Sequence, residues 1–200
     1  MMVDAPSTST RTHMSTSLPL NHWMSWEGGV DLVACTAPGL PMPNVIVHLA
    51  RLVHTPVGSA PSGMVLFQPS PDAAPLVCGF VSTDARVGAY FGPKIFAGTP
   101  FEQAPVLEAS IQITTTPELV GAVVKVAGHE LRTELRDLGA LELVSRAPSP
   151  MAPFHQQGLE ASTLEARLWV DGKEIPIIVP PMGISGGPAA VSAPCGLYAR

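Results

Sequence analysis

Short runs in which apolar and polar residues alternate recur along most of the chain, and Pro and Gly separate them. Alternation with a period of two is typical of strands with one buried face, and Pro and Gly favour the turns between strands. Asp171-Gly172 lies between apolar flanks and predicts a hairpin turn. The pattern predicts ten strands, at 31–36, 45–54, 63–68, 75–82, 106–115, 120–127, 129–135, 141–145, 164–170 and 174–179.

Helical periodicity is scarce, and the segments 84–90 and 102–104 are the short candidates, because Pro interrupts the others. Ten strands joined by short connections in about 180 residues predict a mainly β fold, an antiparallel closed or cone-like β-barrel with few short helices. Residues 1–20 are rich in Ser and Thr and contain Pro6 and Pro19. We therefore expect a disordered tail over 1–20 and a single β-barrel domain over 21–200.

The composition of the chain limits the classes of partner that we expect the protein to bind. Charged residues make up 14 % of the chain and hydrophobic residues 46 %, with a net charge of −5. The negative charge argues against nucleic acid, and no apolar run reaches the length of a membrane span. The sparse surface charge favours a homo-oligomer. Three widely spaced cysteines and the lack of a secretory signal favour a reducing, cytoplasmic location and argue against a zinc cluster.

Lys94 is the residue with the most specific chemistry. It is one of three lysines and lies within 88–98 among aromatic and apolar residues, between Gly92-Pro93 and Gly98-Thr99-Pro100. A desolvated lysine is partly neutral at pH 7 and can form an imine with a carbonyl substrate. The other interpretation is a surface lysine whose stem packs while its charge stays in water.

Several polar residues are candidate partners for Lys94. Glu102 follows it closely and is an acid–base candidate, or alternatively the start of a short helix. His48 and His54 fall on one face of a predicted strand and are candidate proton shuttles, whereas Arg51, a candidate carboxylate clamp, faces the other way. Tyr90, Phe91, Phe96 and Gln68 are the predicted substrate-binding residues.

Two weaker alternatives use other chemistry. The two histidines could ligate a metal together with His129 or His155, although no carboxylate accompanies them, and we expect no metal and no cofactor. The segment Ser185-Gly186-Gly187-Pro188 could offer backbone N–H groups to an anion or could form a turn only.

The stretch 84–97, with Pro93-Lys94 after Gly88 and Tyr90, resembles the Pro-Lys segment of the acetoacetate decarboxylase superfamily. The resemblance extends over about 45–180 through the order of the strands. It implies a cone-like barrel with an internal cavity, oligomeric packing, and a cofactor-free enzyme that acts on keto acids through a Schiff base on Lys94. Ile95 stands where the family has a second lysine, and no acid lies between Asp31 and Asp72, where the family places a cavity carboxylate.

These differences favour aldol condensation, dehydration or cyclisation over decarboxylation. The sequence therefore predicts a cofactor-independent lyase or cyclase that acts on a keto-acid or polyketide-like small molecule, with a Lys94 imine as its candidate route. The alternatives are a cyclase or isomerase without an imine, and a barrel that binds an apolar ligand without catalysis.

Overall fold

The computed structural model describes residues 23–150 and 152–199, so the tail predicted for 1–20 lies outside the described residues. The chain forms one twelve-stranded sheet and the helix α1 (Ala85–Ile95). The strands are β1 (Trp23–Ala34), β2 (Val45–Thr55), β3 (Gly58–Phe67), β4 (Val77–Ser82), β5 (Val106–Thr115), β6 (Leu119–Val126), β7 (His129–Arg136), β8 (Glu142–Arg146), β9 (His155–Ser162), β10 (Glu165–Val170), β11 (Lys173–Ile175) and β12 (Ala190–Ala199).

The mainly β class is confirmed, whereas the closed barrel is wrong. The strand order is β11-β10-β7-β6-β5-β4-β3-β2-β1-β12-β9-β8, antiparallel except where β5 pairs with β4. A closed barrel would need β8 to pair with β11, but within the described residues these strands form the two edges. The sheet stays open because the last strand, β12, pairs with the free edge of β1. Strands β9 and β8 then extend the sheet beyond β12.

All ten predicted strands overlap observed ones, and the segment 106–115 coincides with β5. The predicted turn at Asp171-Gly172 joins β10 to β11, and both residues have positive φ. Two strands were not predicted, β9 and β12, because Gly158, Pro194 and Gly196 interrupt their patterns. The predicted helix at 84–90 forms and continues to Ile95, whereas the predicted helix at 102–104 is a turn.

The sheet folds over itself into two layers with two separate hydrophobic cores. The first core lies between the layers, where β1, β2 and β3 face β6, β7 and β10. The second core lies on the outer face of β1–β4 and is covered by α1. Its largest fully buried members are Met24, Met64, Phe80 and Phe91. The polar residues described below lie at the margin of this second core.

The helix lies unusually close to the sheet because glycines face it. A Cβ added at Gly92 would stand 2.2 Å from Phe80 Cδ2, and one at Gly88 would stand 2.8 Å from Val106 Cγ1. Asp84 caps the first turn by accepting a hydrogen bond from the Arg86 backbone N–H at 2.8 Å. In the part of the chain that the structure describes, no helix has both the length and the apolar character needed to cross a membrane.

Candidate functional site

The site is built on the face of β1 and β2 that α1 covers. Asp31 of β1 and His48 of β2 are directly opposite each other in the antiparallel register, and their side chains point toward the helix. The His48 Nδ1 lies 3.2 Å from Asp31 Oδ2. The two side chains retain 23 % and 34 % of their exposure, so the pair is shielded but still accessible to a small ligand.

The surroundings of His48 set its protonation. Burial disfavours the imidazolium, but the charge and hydrogen bond of the Asp31 carboxylate outweigh burial, so the pKa of His48 is raised above its ordinary value of 6.5. Because Nδ1 faces the carboxylate, this nitrogen carries the proton in the neutral ring and Nε2 keeps its lone pair. The pair therefore has the arrangement of a histidine that a carboxylate orients for proton transfer.

Two aromatic rings enclose His48 on the helix side. Phe91 stacks on the imidazole with ring centroids 6.0 Å apart and an interplanar angle of 6°, and Phe96 meets it edge-on at 6.2 Å. Both phenylalanines were predicted to bind substrate, and the structure brings them to the predicted His48. Their apolar surface limits the access of water to the imidazole.

Tyr198 of the last strand, β12, lines the same wall. It pairs with Met24 in the β1–β12 register, and its ring lies 4.4 Å from that of Trp26. Burial raises the pKa of Tyr198, and the negative charges of Asp31 and Glu160 raise it further against the opposing effect of Arg146. The hydroxyl therefore stays protonated at neutral pH and can act as a hydrogen-bond donor.

An ion pair forms the far side of the site. Arg146 of β8 donates to both carboxylate oxygens of Glu160 on β9, at 2.5 and 2.6 Å, and Gln156 donates to the same carboxylate at 2.8 Å. The bidentate contact with Glu160 raises the pKa of Arg146, while burial acts in the opposite direction. A fork-to-fork pair of this kind is strong and geometrically fixed.

These side chains surround two partly enclosed cavities. Their volumes are about 30 Å³ and about 70 Å³. Four polar residues line both cavities, namely Asp31, His48, Gln156 and Tyr198. These four residues therefore separate the two cavities.

The structure separates His54 and Arg51 from His48. The His54 Nε2 lies 3.0 Å from Glu27 Oε1, and its Nδ1 lies 2.9 Å from Ser59 Oγ. Arg51 reaches the same Glu27 carboxylate at 3.4 Å. This cluster is largely exposed, and none of its members lines either cavity.

His48 and His54 do not lie on one face as expected, because the alternation of side chains along β2 reverses between them. Residues three apart point to opposite faces of a regular strand. Ala50 and Val53 are three residues apart, but both belong to the core under α1. The pairing of β2 with β3 shifts register over this interval, and Gly28 on β1 adopts φ +61° at the same level. A bulge reverses the alternation of side chains beyond it.

Lys94 lies in the last turn of α1 rather than in a turn between strands. Its side chain is half-buried, and the Nζ stands 4.6 Å from the centroid of the Tyr90 ring, in a cation–π geometry. The neighbouring Ile95 and Phe96 line the larger cavity, whereas Lys94 lines neither. Its role in imine formation stays a prediction.

Glu102 and Gln68 stabilise loops. The Glu102 carboxylate accepts a hydrogen bond from the Gly98 backbone N–H at 2.8 Å, in the turn that follows α1. The Gln68 side-chain amide donates to the carbonyl oxygens of Pro71 and Ala73, at 3.0 and 2.8 Å. The structure does not bring either residue to the cavities.

The sequence interpretation missed Tyr198, Gln156, Glu160 and Arg146, together with the role of Asp31. Asp31 offered a signal, because it is a lone carboxylate within the apolar run 30–34. The remaining residues offered little, since three of them lie on the unpredicted strands β9 and β12.

A metal site is not formed by the predicted histidines. Among residues 23–150 and 152–199, no three His, Cys, Asp or Glu side chains lie together as a metal ion would require. His129 instead pairs with Asp171 at 2.8 Å, and His155 is exposed on β9.

Comparison with family models, with curated proteins and with solved structures gave no match. The resemblance to the acetoacetate decarboxylase superfamily therefore stays a hypothesis.

Proposed function

We propose that the protein is a cofactor-independent enzyme, a lyase, cyclase or isomerase, that moves a proton next to the carbonyl group of a small molecule. The observation that carries the proposal is the Asp31-oriented His48 on a cavity wall to which Tyr198 also contributes. A histidine that a carboxylate orients, in a cavity wall shielded by aromatic rings, is suited to general acid–base catalysis.

Each polar group has a role in such a reaction. His48 Nε2 removes a proton from the carbon beside the carbonyl, and the Asp31 carboxylate stabilises the imidazolium that forms. Tyr198 donates a hydrogen bond to the oxygen as it gains enolate charge. In an isomerisation the imidazolium returns the proton to a carbon of the substrate. In a condensation or cyclisation the enolate carbon instead attacks a second carbonyl carbon, and the imidazolium protonates the alkoxide that forms. A lyase runs these steps in reverse, with His48 Nε2 removing the hydroxyl proton as the carbon–carbon bond breaks and the enolate forms.

The first step is testable without knowledge of the natural substrate. In D₂O, enolisation replaces the protons beside a carbonyl with deuterium, and ¹H NMR follows the loss of signal from acetone, pyruvate, acetoacetate and hexan-3-one. We expect the protein to accelerate exchange for at least one probe, and His48→Gln to reduce that rate about 100-fold or more.

A matched control uses the second strand histidine. His54→Gln changes the same residue type in the exposed cluster with Glu27 and should leave the exchange rate unchanged. Exchange no faster than in buffer, or equal rates for His48→Gln and the unaltered protein, would rule out the proposed function and favour a non-catalytic binding protein.

The imine route predicted from the sequence is separable in the same assay. Lys94→Met removes the amine but keeps an apolar side chain at the helix end. If catalysis proceeds through an imine, this variant loses exchange activity, and borohydride with pyruvate adds mass at Lys94 in the unaltered protein. Full activity of Lys94→Met would assign proton transfer to a route without an imine.

A further inference from the structure

The two cavities share their polar wall but differ in their apolar walls. The smaller one extends toward Trp26, Val53 and Ala193, between the kinked parts of β1, β2 and β12. The larger one extends toward Ile46 and the loop 183–188. A ligand whose polar group contacts His48 and Tyr198 therefore has two apolar directions in which to extend.

The size of each hollow limits the length of the branch that it can take. A cavity of about 10–15 Å³ is large enough for one water molecule. Both cavities exceed that size, and the larger one has about twice the volume of the smaller one. Their unequal sizes favour apolar branches of unequal length.

The charges around the shared wall disfavour an anion. Asp31 lines both cavities and Glu160 lines the smaller one, and each carboxylate is already paired with a basic side chain, Asp31 with His48 and Glu160 with Arg146. The nearby cation, Arg146, already has both ends of its guanidinium fork on Glu160. The backbone of Gly187 lies against that guanidinium, since an added Cβ would stand 2.8 Å from Arg146 Cζ.

We infer that the substrate is an uncharged internal ketone, or a related neutral carbonyl compound, with one apolar branch in each cavity. This inference rests on the proposed function. It departs from the keto acids that the family resemblance implies, because His48 and Arg146 already pair with Asp31 and Glu160 and are not available to a substrate carboxylate. The carbonyl oxygen lies toward Tyr198, and the branches diverge on either side of His48.

A matched pair of probes tests the inference on the full chain. Hexan-3-one has an ethyl and a propyl branch, and 4-oxohexanoate has the same ketone with a carboxylate on the longer branch. Isothermal titration calorimetry and the NMR signals of the His48 ring report binding at pH 8. We expect hexan-3-one to bind at least tenfold more tightly than 4-oxohexanoate.

A substitution in the wall of the larger cavity tests whether a branch of the ligand lies in that cavity. Ile184→Trp fills space beside that wall and should weaken hexan-3-one at least tenfold while acetone, which lacks the longer branch, binds unchanged. Ile178→Trp is the control, because Ile178 is 47 % exposed and lines neither cavity. Equal loss of both ligands in Ile184→Trp would contradict the assignment of a branch to this cavity.

The outcomes separate this inference from the proposed function. Tight hexan-3-one binding without deuterium exchange on any probe would remove the catalytic proposal and keep the neutral ligand class. Preferred binding and exchange of 4-oxohexanoate would keep the catalytic proposal and overturn the inference. Failure of both probes to bind would also overturn it.

Discussion

At the scale of single residues, His48 gains its chemistry from one neighbour. Burial alone would lower the pKa of an imidazole, and only the Asp31 carboxylate at 3.2 Å reverses that direction. His54 also contacts a carboxylate, that of Glu27, but in an exposed position where solvent screens the charge. The two histidines therefore differ in environment rather than in type.

Asp31→Asn is expected to lower the pKa of His48, because burial then acts without the opposing carboxylate. The midpoint of the His48 ring titration, measured by NMR, reports the change. Glu27→Gln is the matched control, since it removes the carboxylate beside His54 and should leave the His48 midpoint in place. An unchanged midpoint in Asp31→Asn would contradict the assignment of the raised pKa to the Asp31 carboxylate.

The same pair makes stability depend on pH. The folded pKa of His48 exceeds its ordinary value of 6.5, so protonation favours the folded state. This contribution is complete below about pH 6.5 and is lost as the pH rises through the raised value. Urea unfolding at pH 5.5 and 8.5 should show a loss of this contribution that is absent in Asp31→Asn.

At the scale of elements, α1 is positioned by the glycines that face the sheet. The sequence predicted the start of this helix, but its predicted end at Tyr90 is five residues earlier than the observed end at Ile95, beyond Pro93. The helix continues because Gly92 has no Cβ to clash with the proline ring, and Phe91 and Phe96 become buried on either side of it. That burial also brings both rings to His48.

Gly92→Ala is expected to destabilise the protein by about 1–3 kcal/mol, because its Cβ would overlap the Phe80 ring. Helix propensity alone has the opposite sign and would stabilise by about 1 kcal/mol. Ala89→Ser on the exposed side of α1 should change the free energy of unfolding by less than about 0.5 kcal/mol. Stabilisation in Gly92→Ala, measured by urea unfolding, would show that α1 lies farther from β4.

At the scale of the whole molecule, the edge strand β8 carries the most exposed large apolar side chain among the residues that the structure describes. Leu143 is 82 % exposed on a strand that, within the described residues, pairs only with β9. An antiparallel pair of β8 strands from two copies, centred on Val144, would place Glu142 of each copy opposite Arg146 of the other. Exposed edges of this kind can pair with another chain.

The homo-oligomer expected from composition is therefore predicted to form through β8. Leu143→Glu should shift sedimentation velocity profiles from dimer to monomer, because it adds a charge at the contact. Val57→Glu, an exposed apolar position in the hairpin between β2 and β3, is the control and should leave the dimer intact. A monomeric unaltered protein at micromolar concentration would contradict this prediction.

The alternation of apolar and polar residues was sufficient to predict most strands, because it reflects which residues face the core. It was insufficient for β9 and β12, whose glycines and proline interrupt the pattern, and these strands carry Gln156, Glu160 and Tyr198. The alternation also could not predict whether the sheet closes, since it does not specify which strands pair with each other.

The sequence by itself determined a β-rich chain, the position of its helix, and His48, Phe91 and Phe96 as candidate site residues. Only the tertiary structure decided which carboxylate accompanies His48 and which cavity they face. The physical reason is that local periodicity encodes burial, whereas the pairing of Asp31 with His48 depends on sheet register. The bulge that turns His54 away depends on that register as well.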